Sequence, residues 1–258
     1  MLNIKFILSK FNRLFGLLII VNLLQLSLVN PATAEQKSEK SKSANSNYGL
    51  PTNRRDGGSR SGDNCLANVS NSNLIALIPN ETVGIKNSAS PTLFFYVPEV
   101  SQQKTIEFVL RNEQDELIYE AFLTTPGKGI MSVKIPAVIN SNQPETEQNY
   151  HWYLSMICNP QERSRDVVVE GWLHQKEIDR AIKQKLQFAT SVEKAELYSE
   201  QGFWYDAIAT LAHEQDFNAK QSTVRKKWSE LLGTVGLEDL ASEPFIKSKM
   251  IKTSANSR

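Results

Sequence analysis

Three histidines, two cysteines and scattered carboxylates are the side chains through which this 258-residue chain could do chemistry. His151, His174 and His213 lie far apart. His213-Glu214 lacks the second histidine, four residues on, that places two imidazoles on one helix face to hold zinc. Glu107, Glu120, Asp166 and Glu170 fall in strand-like runs, where outward-facing acids are solvated and no spacing sets an acid/base separation. Ser59 and Ser61 sit in the run from Arg54 to Gly62, which has neither a Gly-x-Ser-x-Gly elbow nor the Gly-Lys-Ser/Thr ending of a phosphate loop. The sequence offers no catalytic residue, metal ligand or cofactor motif, and a non-enzymatic role is the expectation.

Cys65 and Cys158 form no Cys-x-x-Cys pair. An isolated pair so far apart reads as a structural disulfide in an oxidising compartment, with two buried thiols as the other reading. A relaxed bridge closing so long a loop contributes about 4–5 kcal/mol through the unfolded state. The N-terminus points to such a compartment. Lys5, Lys10 and Arg13 precede a charge-free apolar stretch from Leu14 to Val29, and Ala32-Thr33-Ala34 is a small-x-small cleavage pattern. Residues 1–34 therefore read as a signal peptide that leaves no stable membrane span, because Asn22, Gln25 and the cleavage pattern argue against a retained anchor. The product is expected in the periplasm or outside the cell. With 29 basic against 28 acidic residues, the chain lacks the positive excess that drives nucleic-acid binding.

The elements that must position any site change character along the chain. Residues 35–60 run from a Glu/Lys/Ser/Gln tether into the Gly/Arg-rich loop and read as a disordered linker. Residues 61–175 alternate with period two. Ile106, Phe108 and Leu110 interleave with polar neighbours, as do Leu117, Tyr119, Ala121 and Leu123, then Met131, Val133 and Ile135. About seven short strands, with Asn112 to Glu116 as a polar hairpin turn, predict an antiparallel β-sandwich. In the run from Tyr150 to Cys158, Tyr150, Trp152, Leu154, Met156 and Cys158 share the core face, and His151, Tyr153 and Ser155 point outward. A tyrosine opening that strand is similar to the corner of immunoglobulin-like sandwiches.

After His174 the period becomes helical. Ile178, Ile182 and Leu186 lie four apart, Thr190 and Glu193 form a capping box, and Trp204, Ala207, Ile208 and Leu211 make one stripe. Val224, Trp228, Leu231 and Leu232 make another, stopped by Gly233. Residues 176–240 thus predict a helical extension, and 241–258 a disordered tail. The segment from Ala195 to Ala207 resembles one tetratricopeptide helix pair, with Gly202 at the tight crossing.

Three surfaces are candidates for contact. Arg54 and Arg55 belong to a basic loop, Trp204 to a helix stripe able to dock a protein, and Tyr153 and Trp172, with Phe94 and Tyr96, to the strand faces opposite the core. An exposed aromatic face would suit sugar rings or a protein, whereas apolar helices needing a surface to cover are expected to pack over it. The expected partner is another envelope or secreted protein met through the helices. The alternative is an envelope polysaccharide met through the aromatic face.

The order of motifs carries a family resemblance. Gly49-Leu50-Pro51, Arg54-Arg55, Gly57-Gly58, Cys65, Leu74-Ile75-Ala76-Leu77-Ile78-Pro79, Tyr150-His151-Trp152-Tyr153, Cys158-Asn159-Pro160 and Val169-Glu170-Gly171-Trp172 together resemble the cyanobacterial domain-of-unknown-function family 928. Asn159 stands where an aspartate is expected and His151 where a basic residue is usual. The resemblance runs from about Gly49 through the helices. It implies an exported protein of cyanobacterial type and no assigned activity, so it transfers no functional residue.

Overall fold

In this computed structural model the described residues are 53–55, 73–80, 84–125, 127–137, 148–217 and 222–255. Residues 1–34, expected as a signal peptide, most of the Gly/Arg-rich loop, and Cys65, and with it the expected pairing with Cys158, lie outside them. The alternating runs form strands β1 (Ile75–Ala76), β2 (Gly84–Lys86), β3 (Thr92–Val97), β4 (Thr105–Asn112), β5 (Leu117–Thr124), β6 (Gly129–Lys134), β7 (Gln148–Ile157), β8 (Val167–Gln175) and β9 (Met250–Ala255). Four helices lie between β8 and β9: α1 (Arg180–Phe188), α2 (Ser191–Glu200), α3 (Trp204–Phe217) and α4 (Ser222–Gly233).

The strands make two sheets, β1-β3-β6 and β2-β8-β7-β4-β5-β9. The protein is mainly β. One pairing departs from the antiparallel expectation, since β2 runs parallel to β8. The predicted core stripe of β7 is buried from Tyr150 through Met156, with Cys158 half-buried just beyond the strand end. Phe95 of the small sheet meets Phe108 and Trp152 of the large one edge-on, with ring centroids 6.5 and 5.4 Å away, so the two sheets face each other across these rings.

Three strands at roughly 4.8 Å spacing cannot cover six, and α3 fills part of the shortfall. Tyr205, wholly buried, lies against Gly84 and Trp152: its hydroxyl donates to the Trp172 carbonyl (3.0 Å) and accepts from the Trp152 indole N–H (3.1 Å). Burial pushes its phenol well up, so it keeps the proton that the bond to the Trp172 carbonyl requires. The site depends on Gly84, where a Cβ would stand 2.3 Å from the Tyr205 ring. Asp206, next on α3, accepts the backbone N–H groups of Asn87 (2.6 Å) and Ser88 (3.0 Å) and ties the helix to the loop after β2.

The helical stripes take the positions their spacing predicts. Thr190 and Glu193 close a reciprocal capping box on α2, and α4 ends at Gly233 with Val224, Trp228, Leu231 and Leu232 buried. Both faces of β3 are therefore covered. Leu93, Phe95 and Val97 turn to the large sheet, while Phe94 meets Trp228 and Phe245 edge-on. Residues 241–255, expected as disordered tail, instead cross Ile130 through two backbone bonds and end as β9 on β5. Phe245 anchors them by filling the gap beside Phe94 and Trp228, a contact that tail composition does not reveal.

Candidate functional site

The outer face of the large sheet carries a group of half-buried aromatic side chains on β7 and β8. Strand alternation sets it, because β7 and β8 turn Trp152 and Val169 inward and so turn His151, Tyr153, Glu170 and Trp172 out. Register brings the four together: His151 lies opposite Trp172, and Tyr153 opposite Glu170. The His151 and Trp172 rings stack at 4.3 Å with 10° between their planes, and the Tyr153 ring tilts against the imidazole at 4.2 Å. On the next strand, Arg111 and Val109 continue the same two rows.

His151 lies between two polar groups. Tyr153 Oη lies 2.8 Å from His151 Nδ1, and Glu170 Oε2 lies 3.1 Å from His151 Nε2. The second contact is close but not aligned for a hydrogen bond, so Nε2 is buried beside a carboxylate without an aligned acceptor. Burial lowers the imidazole pKa more than Glu170 raises it, and burial together with Glu170 raises the Tyr153 phenol. Near neutral pH the phenol is thus protonated and donates to Nδ1, and the neutral ring carries its own proton on Nε2, facing Glu170. The arrangement fixes ring orientation and presents stacked aromatic surface with a carboxylate and a guanidinium at its edges. Farther along the face, Arg163 joins Glu107 to Asp166, and the Asp166 carboxylate accepts the Cys158 N–H.

The other candidate contact residues separate. Trp204 is not a surface residue: only 6% exposed, its indole donates to the Leu77 carbonyl at 2.8 Å. Arg54 is buried as well, and its guanidinium donates to the carbonyls of Ile78 (3.0 Å) and Val235 (2.7 Å), tying the N-terminal segment to the helical end of the fold. Arg55 is exposed and bridges Ile75 through its backbone. These corrections share a cause, since a long basic or aromatic side chain is apolar over most of its length and can bury once carbonyls meet its polar end. Tyr153 and Trp172 stay together on the outer face. His151 was legible only as outward-facing. Its stacking follows from the β7–β8 register, which the sequence does not state.

Among the described residues no three His, Cys, Asp or Glu side chains converge as a metal site, and no helix is long and apolar enough to cross a membrane. A half-open cleft of about 270 Å³ separates α2 from α4, with Val192, Ala195 and Leu231 in it and Glu196, Glu200 and Glu230 at its edge.

Two packed sheets, a C-terminal helical layer and an outward aromatic row define a mainly β protein whose candidate site is a sheet face. Residues 55–245 match the family described as Domain of Unknown Function (DUF928), and the chain belongs to that family. No curated protein matches the chain. Among solved structures, the crystal structure of the periplasmic chaperone SfaE is similar at 13% identity and a TM-score of 0.30, over 38% of this chain and 54% of that one. The chain thus spans about half the length of that structure.

Proposed function

We propose that the protein is an exported, non-catalytic binding module of the cell envelope that holds a carbohydrate polymer on the outer face of its large sheet. The observation that carries this reading is the row of His151, Tyr153 and Trp172 on the outward side of β7 and β8, flanked by Glu170 and Arg111. Sugar rings bind where aromatic surface lies beside polar groups that accept and donate to hydroxyls. Export rests on the N-terminal charge, apolar and small-x-small pattern, and the Cys65–Cys158 bridge belongs to the same reading. Burial of Trp204 and Trp228 removes the residues on which docking through the helix stripes would depend. The cleft between α2 and α4, apolar inside and edged by Lys227 paired with Glu196 and Glu230, favours a second reading in which a protein segment docks there.

The test uses the full mature chain on immobilised laminarin, dextran and peptidoglycan. Retention on one of them, weakened at least tenfold by Trp172→Ala and by Tyr153→Ala and unchanged by Lys226→Ala on α4, is the expected result. Retention indifferent to both aromatic substitutions, or none on any of the three, would overturn the glycan reading.

A further inference from the structure

Phe188, the last residue of α1, is 90% exposed, more than any other large apolar side chain among the described residues. Packing of the helix does not call for it. Ile178, Ile182 and Leu186 form the inward stripe of α1 and meet Phe203, Ile85, Leu197 and Tyr198 in a small cluster of their own. Phe188 lies off that stripe, roughly 160° around the helix axis from Leu186. An aromatic ring held in water by a helix whose apolar face is already covered is available to a partner.

The surface around it is cationic. Arg180, Lys183 and Lys185 on α1 and Lys176 just before it are exposed, and none of them pairs with a carboxylate among the described residues. Lys185 stands three residues before Phe188, on the neighbouring position of the helix surface. The acids nearest in sequence are Glu177, Asp179 and Glu193. Two of these are held by helix ends: Asp179 accepts the Ala181 N–H at 2.8 Å, and Glu193 closes the capping box with Thr190. Helix stability does not explain the cations. Arg180 opens α1 and Lys176 precedes it, at the positive end of the helix dipole, where a cation is unfavourable.

Unpaired cations around an uncovered aromatic ring match a surface that is anionic outside and apolar just beneath. We infer that α1 docks the protein on an anionic phospholipid bilayer, with Phe188 inserted below the headgroups and Lys176, Arg180, Lys183 and Lys185 at the phosphates. A soluble anionic polymer would answer the cations but leave Phe188 in water. The contact is peripheral, because the 9 residues of α1 fall well short of the about 20 that cross a bilayer. It shares no residue with the outer sheet face and so stands or falls separately from the glycan reading.

Co-sedimentation of the full mature chain with vesicles of phosphatidylglycerol and phosphatidylcholine in equal parts, and with vesicles of phosphatidylcholine alone, tests the assignment. The expected result at low salt is binding to the mixed vesicles that is about tenfold weaker on phosphatidylcholine and in Lys183→Glu/Lys185→Glu, and about fivefold weaker in Phe188→Ser. The three substituted side chains are exposed, so both variants should keep the thermal transition of the natural protein. Arg225→Glu/Lys226→Glu, the same charge reversal on the exposed side of α4, should bind as the natural protein does. Absence of binding to the mixed vesicles would overturn the inference. So would binding that Phe188→Ser leaves unchanged, which marks adsorption by charge alone, or a loss in the α4 variant as large as in the α1 variant, which marks net charge rather than this helix.

Discussion

Lys86 carries a charge into a site that disfavours it. Its side chain is 2% exposed between β2, β8 and α3, where its ammonium donates to the Ser88 carbonyl (3.1 Å) and Gln175 Oε1 (2.9 Å). Burial pushes it down to about 8, and the Asp206 carboxylate offsets only part of that shift. Burial also raises Asp206, against its bonds from Asn87 and Ser88 and the attraction of Lys86. The folded lysine therefore releases its proton near pH 8, whereas in the unfolded chain it does so near 10.5. Between these values the unfolded state binds more protons, so the cost of burying the charge is fully present below pH 8 and is relieved as pH rises to 10.5. The urea-unfolding stability of the natural protein relative to Lys86→Met should rise across that window by on the order of 2 kcal/mol. Parallel pH profiles for the two proteins would show that Lys86 does not titrate there.

At the scale of elements, small residues decide which strands and helices can meet. Gly171 on β8 stands opposite Trp152 on β7, and a Cβ there would lie 2.5 Å from the indole and 2.9 Å from Ile78. Trp152 is wholly buried between Phe95 and Tyr205 and has no room to shift. Gly171→Ala should cost about 1–3 kcal/mol by overpacking, read from the denaturant midpoint. An unchanged midpoint would mean that the indole has a second place to lie. The β7 alternation and the stripes of α3 and α4 were legible because period two and period 3.6 are imposed by backbone geometry wherever one face is buried. β2 and β9 were not legible. β2 is three residues long, and among the described positions of β9 none is buried, so neither carries an alternating pattern.

For the whole molecule, the helical layer completes the core. Trp204, Tyr205, Trp228 and Phe245 close over Leu77, Trp152 and Phe94, and none of these contacts stays within the strand region. A chain ending at Gln175 should lose its cooperative thermal transition and aggregate, because Phe94, Leu77 and Ile78 would face water. One ending at Ser248, which lacks only the exposed β9 region, should keep a single transition in circular dichroism. A sharp transition in the shorter chain would show that the sheets fold alone.

The sequence by itself determined the strand region, the helical region, the core face of β7 and the capped start of α2, because each is written in local periodicity or in one pair of residues. Tertiary structure alone decided that the helices pack over the small sheet, with Phe94 beneath them, and that His151 stacks on Trp172 with Tyr153 tilted against it on the large sheet's outer face. All of these aromatics occupy strand faces opposite the sandwich core, so nothing local distinguishes them. The difference comes from the number of strands in each sheet and from how α3 fills the space that the narrower sheet leaves, which depend on pairings between residues far apart in the chain.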